Sequence, residues 1–252
     1  MSKKKSEILF EGRWTIKQEK QESETRIEML LSSGDEEAIA LAYKLMACVK
    51  RRPCKSPACA VCNHKESEIW IRNLIKFLRK KRSIYFVTLV PNGLFVSPRG
   101  LRQVSAKLIK GSLSKQIERS NLSDALVAGG IEAVYKEERN KMSVHLHLVF
   151  SNCTKSEIKE LCKHYYNNKG KGTRQFDCEE IKDGDQPRTF SYCHKNRTYF
   201  KKKGSKKPFR PPPEIEIAHL LFLDRHTFKD LLFYKGIRRS SKGMRKAPKS
   251  KK

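Results

Sequence analysis

Long apolar runs and acidic residues are what this sequence has least of. No stretch approaches the 18 consecutive apolar residues of a membrane-spanning helix. Basic Met1 to Lys5 is not followed by the apolar core of a secretion signal. A long basic amphipathic helix with a strong apolar face, as membrane-surface proteins carry, is missing too. The expectation is a soluble, non-secreted, cytoplasmic protein with no membrane partner. No internal repeat is visible, and no G-x4-G-K-S/T loop is present, so helicase activity would have to come from a partner. Acids number 27 against 55 Lys plus Arg, a formal charge of +28. An ordinary globular enzyme needs no such excess, which points to a polyanion, DNA or RNA.

What is there suffices for a folded protein. At 252 residues and 38% hydrophobic content the chain can bury a core, as one α/β domain with an appendage or as two small domains. Residues 1–34 are polar, with one short strand expected around 8–16. Helices are expected over 35–50, 66–81, 101–120, 155–167, 189–202 and 214–234. Strands are expected at 84–90 and 174–181, with a β-hairpin over 129–150 turning at Arg139-Asn140. From Gly236 onward the chain reads as a basic, disordered tail. The expected fold class is α+β: a central antiparallel sheet with helices on one face, plus a small N-terminal helical module. The divisions are 1–34 (polar segment), 35–82 (helical cysteine module), 83–205 (sheet domain), 206–235 (C-terminal helix) and 236–252 (tail).

Eight cysteines in a non-secreted chain argue against a disulfide framework. Four cluster as Cys48-x5-Cys54-x4-Cys59-x2-Cys62, and four thiolates in a short loop can close a tetrahedral Zn2+ site. Such a site leaves no open position, so its role would be structural. His64 is an alternative ligand, and four separately buried cysteines are the bland alternative. Arg51, Arg52, Lys55 and Lys65 surround the loop and suit a DNA-facing element.

His145-Leu146-His147-Leu148-Val149-Phe150 is an apolar strand carrying two histidines at i and i+2. In a strand both imidazoles share one face, with Cα atoms about 6–7 Å apart. Burying both without a metal or a charge partner is costly. With the turn centred on Arg139-Asn140, Glu132 pairs with His147 and projects from the same face. Two imidazoles and a carboxylate with open positions suit a divalent cation that takes a substrate oxygen. A slip of one residue would turn Glu132 away. Downstream, Tyr192, Lys195 and Tyr199 fall at i, i+3 and i+7, one face of a helix. A tyrosine hydroxyl there could be a nucleophile. The alternative is a core aromatic beside a surface charge.

Four features in order carry a resemblance: the cysteines of 54–62, the strand Phe86-Val87-Thr88-Leu89-Val90, His145-Leu146-His147, and Tyr192-Cys193-His194-Lys195. The chain resembles the HUH endonucleases, and among them the rolling-circle replication initiator (Rep) proteins of small bacterial plasmids. The resemblance implies a ferredoxin/RRM-like sheet and Mg2+ or Mn2+ on the histidines, polarising a scissile phosphate. It implies that Tyr192 attacks phosphorus, forming a 5′-phosphotyrosyl bond and freeing a 3′-OH that primes synthesis. The implied partners are single-stranded or hairpin origin DNA, a host helicase and a polymerase. One departure is Arg188, where some plasmid initiators carry a glutamate four residues before the tyrosine. Termination is then expected to use Tyr199 or Asp185, and Arg188 joins the DNA contacts. An HUH-type single-strand transposase shares this chemistry. A non-enzymatic zinc-containing DNA-binding regulator would bind without cleaving.

Overall fold

A computed structural model describes residues 14–81, 83–166, 175–195, 197, 199–201 and 208–248. Two eleven-residue strands, β3 (Leu126–Lys136) and β4 (Lys141–Ser151), make its central hairpin. Strand β1 (Ile84–Leu89) pairs with β4, β5 (Phe176–Glu180) with β1, and β8 (Leu232–Lys235) with β3. The order is β5-β1-β4-β3-β8, with short β2 (Phe95–Val96) also on β4, and every pair is antiparallel. Strands β6 (Phe200–Lys201) and β7 (Pro208–Phe209) form a separate pair.

Alternation along β4 sorts the two faces. Val144, Leu146, Leu148 and Phe150 join Val87 and Leu89 of β1 in one buried cluster. That cluster takes Leu113 and Ile117 of α4 (Ala106–Glu118), and Ile158 and Leu161 of α5 (Lys155–Tyr165). On the other face, Ile84, Leu126, Ala128 and Val149 pack against Trp70, Ile71 and Leu74 of α3 (Ala60–Leu78) and Phe190 of α6 (Gln186–Tyr192). Helices therefore cover both faces, not one as expected. The second face is apolar where these helices cover it, and exposing that part would forfeit about 1.5–3 kcal/mol per large side chain. The same face carries Glu132, His145 and His147.

The N-terminal segment departs most from expectation. Ile16 opens a helix, α1 (Ile16–Leu31), capped by a Thr15–Gln18 capping box. The rest of the strand expected at 8–16 lies almost wholly outside the described residues. Helix α1 buries three charged side chains, Glu19, Glu22 and Arg26, besides Leu30, which hides it from a hydrophobic-period reading. Arg26 donates to Glu22 at 2.8 Å and to the Ala58 carbonyl at 2.7 Å. Arg210 joins Glu22 (2.9 Å) to Glu216 (2.6 Å), and Arg197 pairs with Glu19. Breaking the fully buried Arg26–Glu22 pair costs about 3–5 kcal/mol, because it strands the partner charge.

Helix α2 (Glu36–Met46) and the cysteine loop share the first cluster with the sheet, through Leu220 and Phe222 of α7 (Pro213–Asp224). The cysteine segment thus has no separate core. The C-terminal helix expected to Tyr234 stops at Asp224. A short α8 (Phe228–Leu231), capped by Thr227, leads into β8, where aromatic Phe233 and Tyr234 suit a strand. The tail expected to be disordered forms a hairpin, β9 (Ile237–Ser240) with β10 (Gly243–Lys246). Ile237 and Met244 pack it onto the second cluster, and Gly236 (φ 67°) makes the corner that leads into it. Among the described residues no helix is long and apolar enough to cross a membrane.

One histidine of α7 makes a stability prediction. His219 is fully buried, and burial, aided by Arg26, pushes its pKa down to about 3. The unfolded chain takes up a proton near pH 6.5 that the folded chain refuses, so stability falls as pH drops from 6.5 toward 3. At pH 5 this amounts to about 2 kcal/mol. Urea titrations at pH 7 and pH 5 should show wild type losing about that much more than His219→Leu. Equal losses would remove His219 as the cause.

Candidate metal centre and the tyrosine beside it

The hairpin register differs from the expected one by two residues. Glu132 lies opposite His145, and Gly130 opposite His147. The connection is four residues, not two: a 3-10 turn over Glu137–Arg139, then Asn140 in the left-handed region at φ 45°. A shift of two preserves the face, so Glu132 still projects beside both histidines.

Three ligand atoms converge there. Glu132 Oε2 is 3.1 Å from His145 Nε2 and 2.7 Å from His147 Nε2. An octahedral divalent cation with bonds of about 2.1 Å spaces adjacent ligands by about 3.0 Å. An unprotonated nitrogen and a carboxylate oxygen this close repel, so the site requires positive charge between them, as protons or as a metal. Burial alone would raise the Glu132 pKa, but the two imidazoles outweigh it and hold the carboxyl well below the usual range. Burial pulls the His145 pKa down, opposed by Glu132. Both directions match metal ligands, an ionised carboxylate and a neutral imidazole.

Thr88 on β1 completes the shell. Its Oγ1 is 3.0 Å from His147 Nδ1. With the Nδ1 proton given to Thr88, Nε2 presents its lone pair toward Glu132, the tautomer that a cation requires. Thr88→Val should weaken Mn2+ binding by about 10-fold or more in calorimetric titration. An unchanged affinity would show that Thr88 does not set the tautomer.

The tyrosine segment is laid directly on this face. A Cβ built at Gly130 would lie 2.1 Å from the Cys193 carbonyl oxygen, so only glycine lets the end of α6 approach β3 here. The Tyr192 ring centroid is 6.3 Å from that of His147 and 6.1 Å from that of Phe86, which itself stacks on His147. Lys195 Nζ stands 3.8 Å from Glu132 Oε1 and 5.7 Å from the Tyr192 ring. Tyr192 is exposed, and Lys195 is open to solvent.

The expected helical face is not what unites these residues. Helix α6 ends at Tyr192, and a turn through Cys193 and His194 delivers Lys195. Tyr199 is held elsewhere. Its hydroxyl donates to Glu22 at 3.1 Å and accepts from Arg210 at 3.3 Å, while its ring meets Trp14. Burial and Glu22 raise its pKa. The hydroxyl is thus engaged in the charge network of α1 and is not brought to the Glu132–His145–His147 face. Asp185 and Arg188 are exposed on the first turn of α6, and Asp185 makes no side-chain cap.

The four clustered cysteines converge as well. Sγ separations are 3.5 Å for Cys48–Cys62, 3.7 Å for Cys54–Cys62 and 3.8 Å for Cys48–Cys59. A tetrahedron with Zn–S bonds of about 2.3 Å has edges of about 3.8 Å. The backbone N–H of Cys54 points at Cys48 Sγ (3.3 Å) and that of Cys62 at Cys59 Sγ (3.4 Å), as thiolates favour. Hydrogen bonds from Cys54 and Cys59 lower the Cys62 pKa, so the cluster already favours one thiolate. The cluster can bind zinc, as the Glu132–His145–His147 group can bind a metal. His64 is not among the converging ligands; it lies between Glu19 (3.5 Å) and Glu68 (3.7 Å). Arg51, Arg52, Lys55 and Lys65 are all exposed around the loop. Cys153, Cys162, Cys178 and Cys193 stand outside it, their thiol pKa values raised by burial.

Thr88 and Gly130 carry no expected site role in the sequence. The Gly129-Gly130 pair inside an otherwise apolar strand is a legible sign of close backbone approach. Thr88 falls in the strand Phe86-Val87-Thr88-Leu89-Val90, but nothing there marks its hydroxyl as a partner of His147. No family model, curated protein or solved structure matches the chain.

Proposed function

We propose that this protein is a metal-assisted DNA-nicking and strand-transfer enzyme of the rolling-circle initiator type, with Tyr192 as nucleophile. The observation that supports it is the placement of Tyr192 and Lys195 directly beside Glu132, His145 and His147 on one sheet face. Those three residues would hold a divalent cation, Mg2+ or Mn2+, whose chemistry is to polarise a phosphate oxygen. The chain's own groups do the rest. Tyr192 Oη gives up its proton and forms a bond to phosphorus as the bond to the 3′ oxygen breaks. The departing oxygen takes a proton and becomes a free 3′-OH, leaving a 5′-phosphotyrosyl link. Lys195 supplies a cation beside the ring and the phosphate, and Phe86 stacks on His147 while Tyr192 meets both rings at an angle. Arg51, Arg52, Lys55, Lys65 and Arg188 offer phosphate contacts to single-stranded or hairpin origin DNA. A host helicase and a polymerase would then use the 3′-OH.

The test uses single-stranded DNA carrying hairpins, incubated with protein and Mn2+ or with chelator, then run on a denaturing gel. The expected result is a protein–DNA adduct and a shortened 3′-OH strand, both absent with chelator. Tight binding with no adduct on any substrate would instead favour a zinc-containing DNA-binding regulator.

A further inference from the structure

We infer that the cysteine loop is a positioning element for Tyr192, acting through a hydrogen bond between Asn63 and His194. The functional consequence rests on the nicking reading above; the mechanical coupling does not.

Asn63 directly follows Cys62 in the first turn of α3, and its backbone N–H donates to the Cys59 carbonyl at 2.9 Å. Its place is thus set by two cysteines of the cluster. From there Asn63 Oδ1 accepts from His194 Nδ1 at 3.1 Å. His194 is buried, with its ring between those of Trp70 (5.9 Å) and Phe228 (5.8 Å). One residue, Cys193, separates it from Tyr192, and the link between them is tight: Cys193 N–H donates to Phe190 O at 3.1 Å and His194 N–H to Ser191 O at 3.2 Å. A displacement of His194 is therefore passed to Tyr192 rather than absorbed.

A second tie runs in parallel. Arg26 of α1 clamps the cysteine loop at the Ala58 carbonyl, and Glu19 on the same helix pairs with Arg197. The segment following Tyr192 is thereby fastened at His194 and at Arg197 to the two elements that frame the cluster. Four-cysteine sites are structural by coordination, since they leave no open position. Here the structure they support includes the nucleophile's seat. Lys195 follows His194 at once and faces Glu132, so the same anchor sets the cation beside the carboxylate.

Asn63 and His194 are positioning residues, touching neither substrate nor metal, and the test needs a readout besides nicking. Hydrogen exchange at the amides of Cys193 and His194 should be measured on the full-length, zinc-loaded protein. Asn63→Ala should speed that exchange by about 10-fold or more. Asn63→Asp, which keeps the acceptor, should restore most of the protection. His194→Phe, which keeps a ring between Trp70 and Phe228 but loses the donor, should match Asn63→Ala and guards against a folding defect in the first variant. Zinc content and Mn2+ affinity should stay at wild-type levels in all three. The adduct-forming rate should fall about 10-fold in Asn63→Ala and His194→Phe with DNA affinity unchanged. Wild-type exchange in both Asn63→Ala and His194→Phe would overturn the coupling, whatever the nicking result. Faster exchange in a protein that never forms an adduct would uphold the coupling and fault the nicking reading instead.

Discussion

Tyr192→Phe should abolish covalent adduct formation while leaving Mn2+ and DNA binding near wild type. The substitution removes one oxygen. The ring contacts with Phe86 and His147 involve carbon faces that phenylalanine keeps, and no ligand of the candidate centre lies on α6. Loss of a nucleophile removes the covalent route altogether, so the expected drop is at least about 10^4-fold, which takes a slow enzyme below detection. Tyr199→Phe is the informative companion. Its hydroxyl is bound between Glu22 and Arg210, so its loss should cost about 1–2 kcal/mol of stability, read in urea, and leave the adduct. Adduct formation that survives Tyr192→Phe and vanishes in Tyr199→Phe would reverse the assignment.

Gly130→Ala should be the most damaging change that touches no chemical group. The added methyl would meet the Cys193 carbonyl oxygen at 2.1 Å, and a main-chain oxygen cannot swing aside as a flexible side chain would. A relaxed contact of about 3.3 Å needs the end of α6 to move by more than about 1 Å. A misplacement of that size costs on the order of 10^2-fold in rate. Glu132, His145 and His147 are fixed by the β3–β4 ladder rather than by α6, so the Mn2+ dissociation constant should hold. The measurement is a single-turnover rate beside a calorimetric Mn2+ titration. A wild-type rate would mean that the segment carrying Tyr192 does not need its seat on β3.

The parts of this site legible in the sequence share one property: their spacing is local. The histidines declare a common face because a strand alternates with period two. Glu132 joined them despite a misjudged turn, because the error was even. The cysteine loop is legible because its four ligands fall within fifteen residues. Tyr192 and Lys195 were picked for a helical face that does not exist, and Tyr199 was added by the same logic. Helix α1 is hidden because three of its four buried residues are Glu19, Glu22 and Arg26, which resemble solvated charges until Arg197 and Arg210 are brought to the glutamates. Strand β8 is hidden because its pairing depends on the edge of distant β3, and the β9–β10 hairpin because its basic residues outnumber the apolar Ile237 and Met244 that pack it down. Thr88 and Asn63 matter only through contacts across 59 and 131 positions of sequence, which no local pattern records.

The proposed nicking chemistry turns on a divalent cation held by Glu132, His145 and His147 with Tyr192 beside it. Crystals soaked in Mn2+ and measured near the manganese absorption edge test that directly. The expected map has an anomalous peak about 2.1 Å from Glu132 Oε2, His145 Nε2 and His147 Nε2, on the side facing Tyr192. A map with no peak at that position, at a Mn2+ concentration that supports adduct formation, would contradict it.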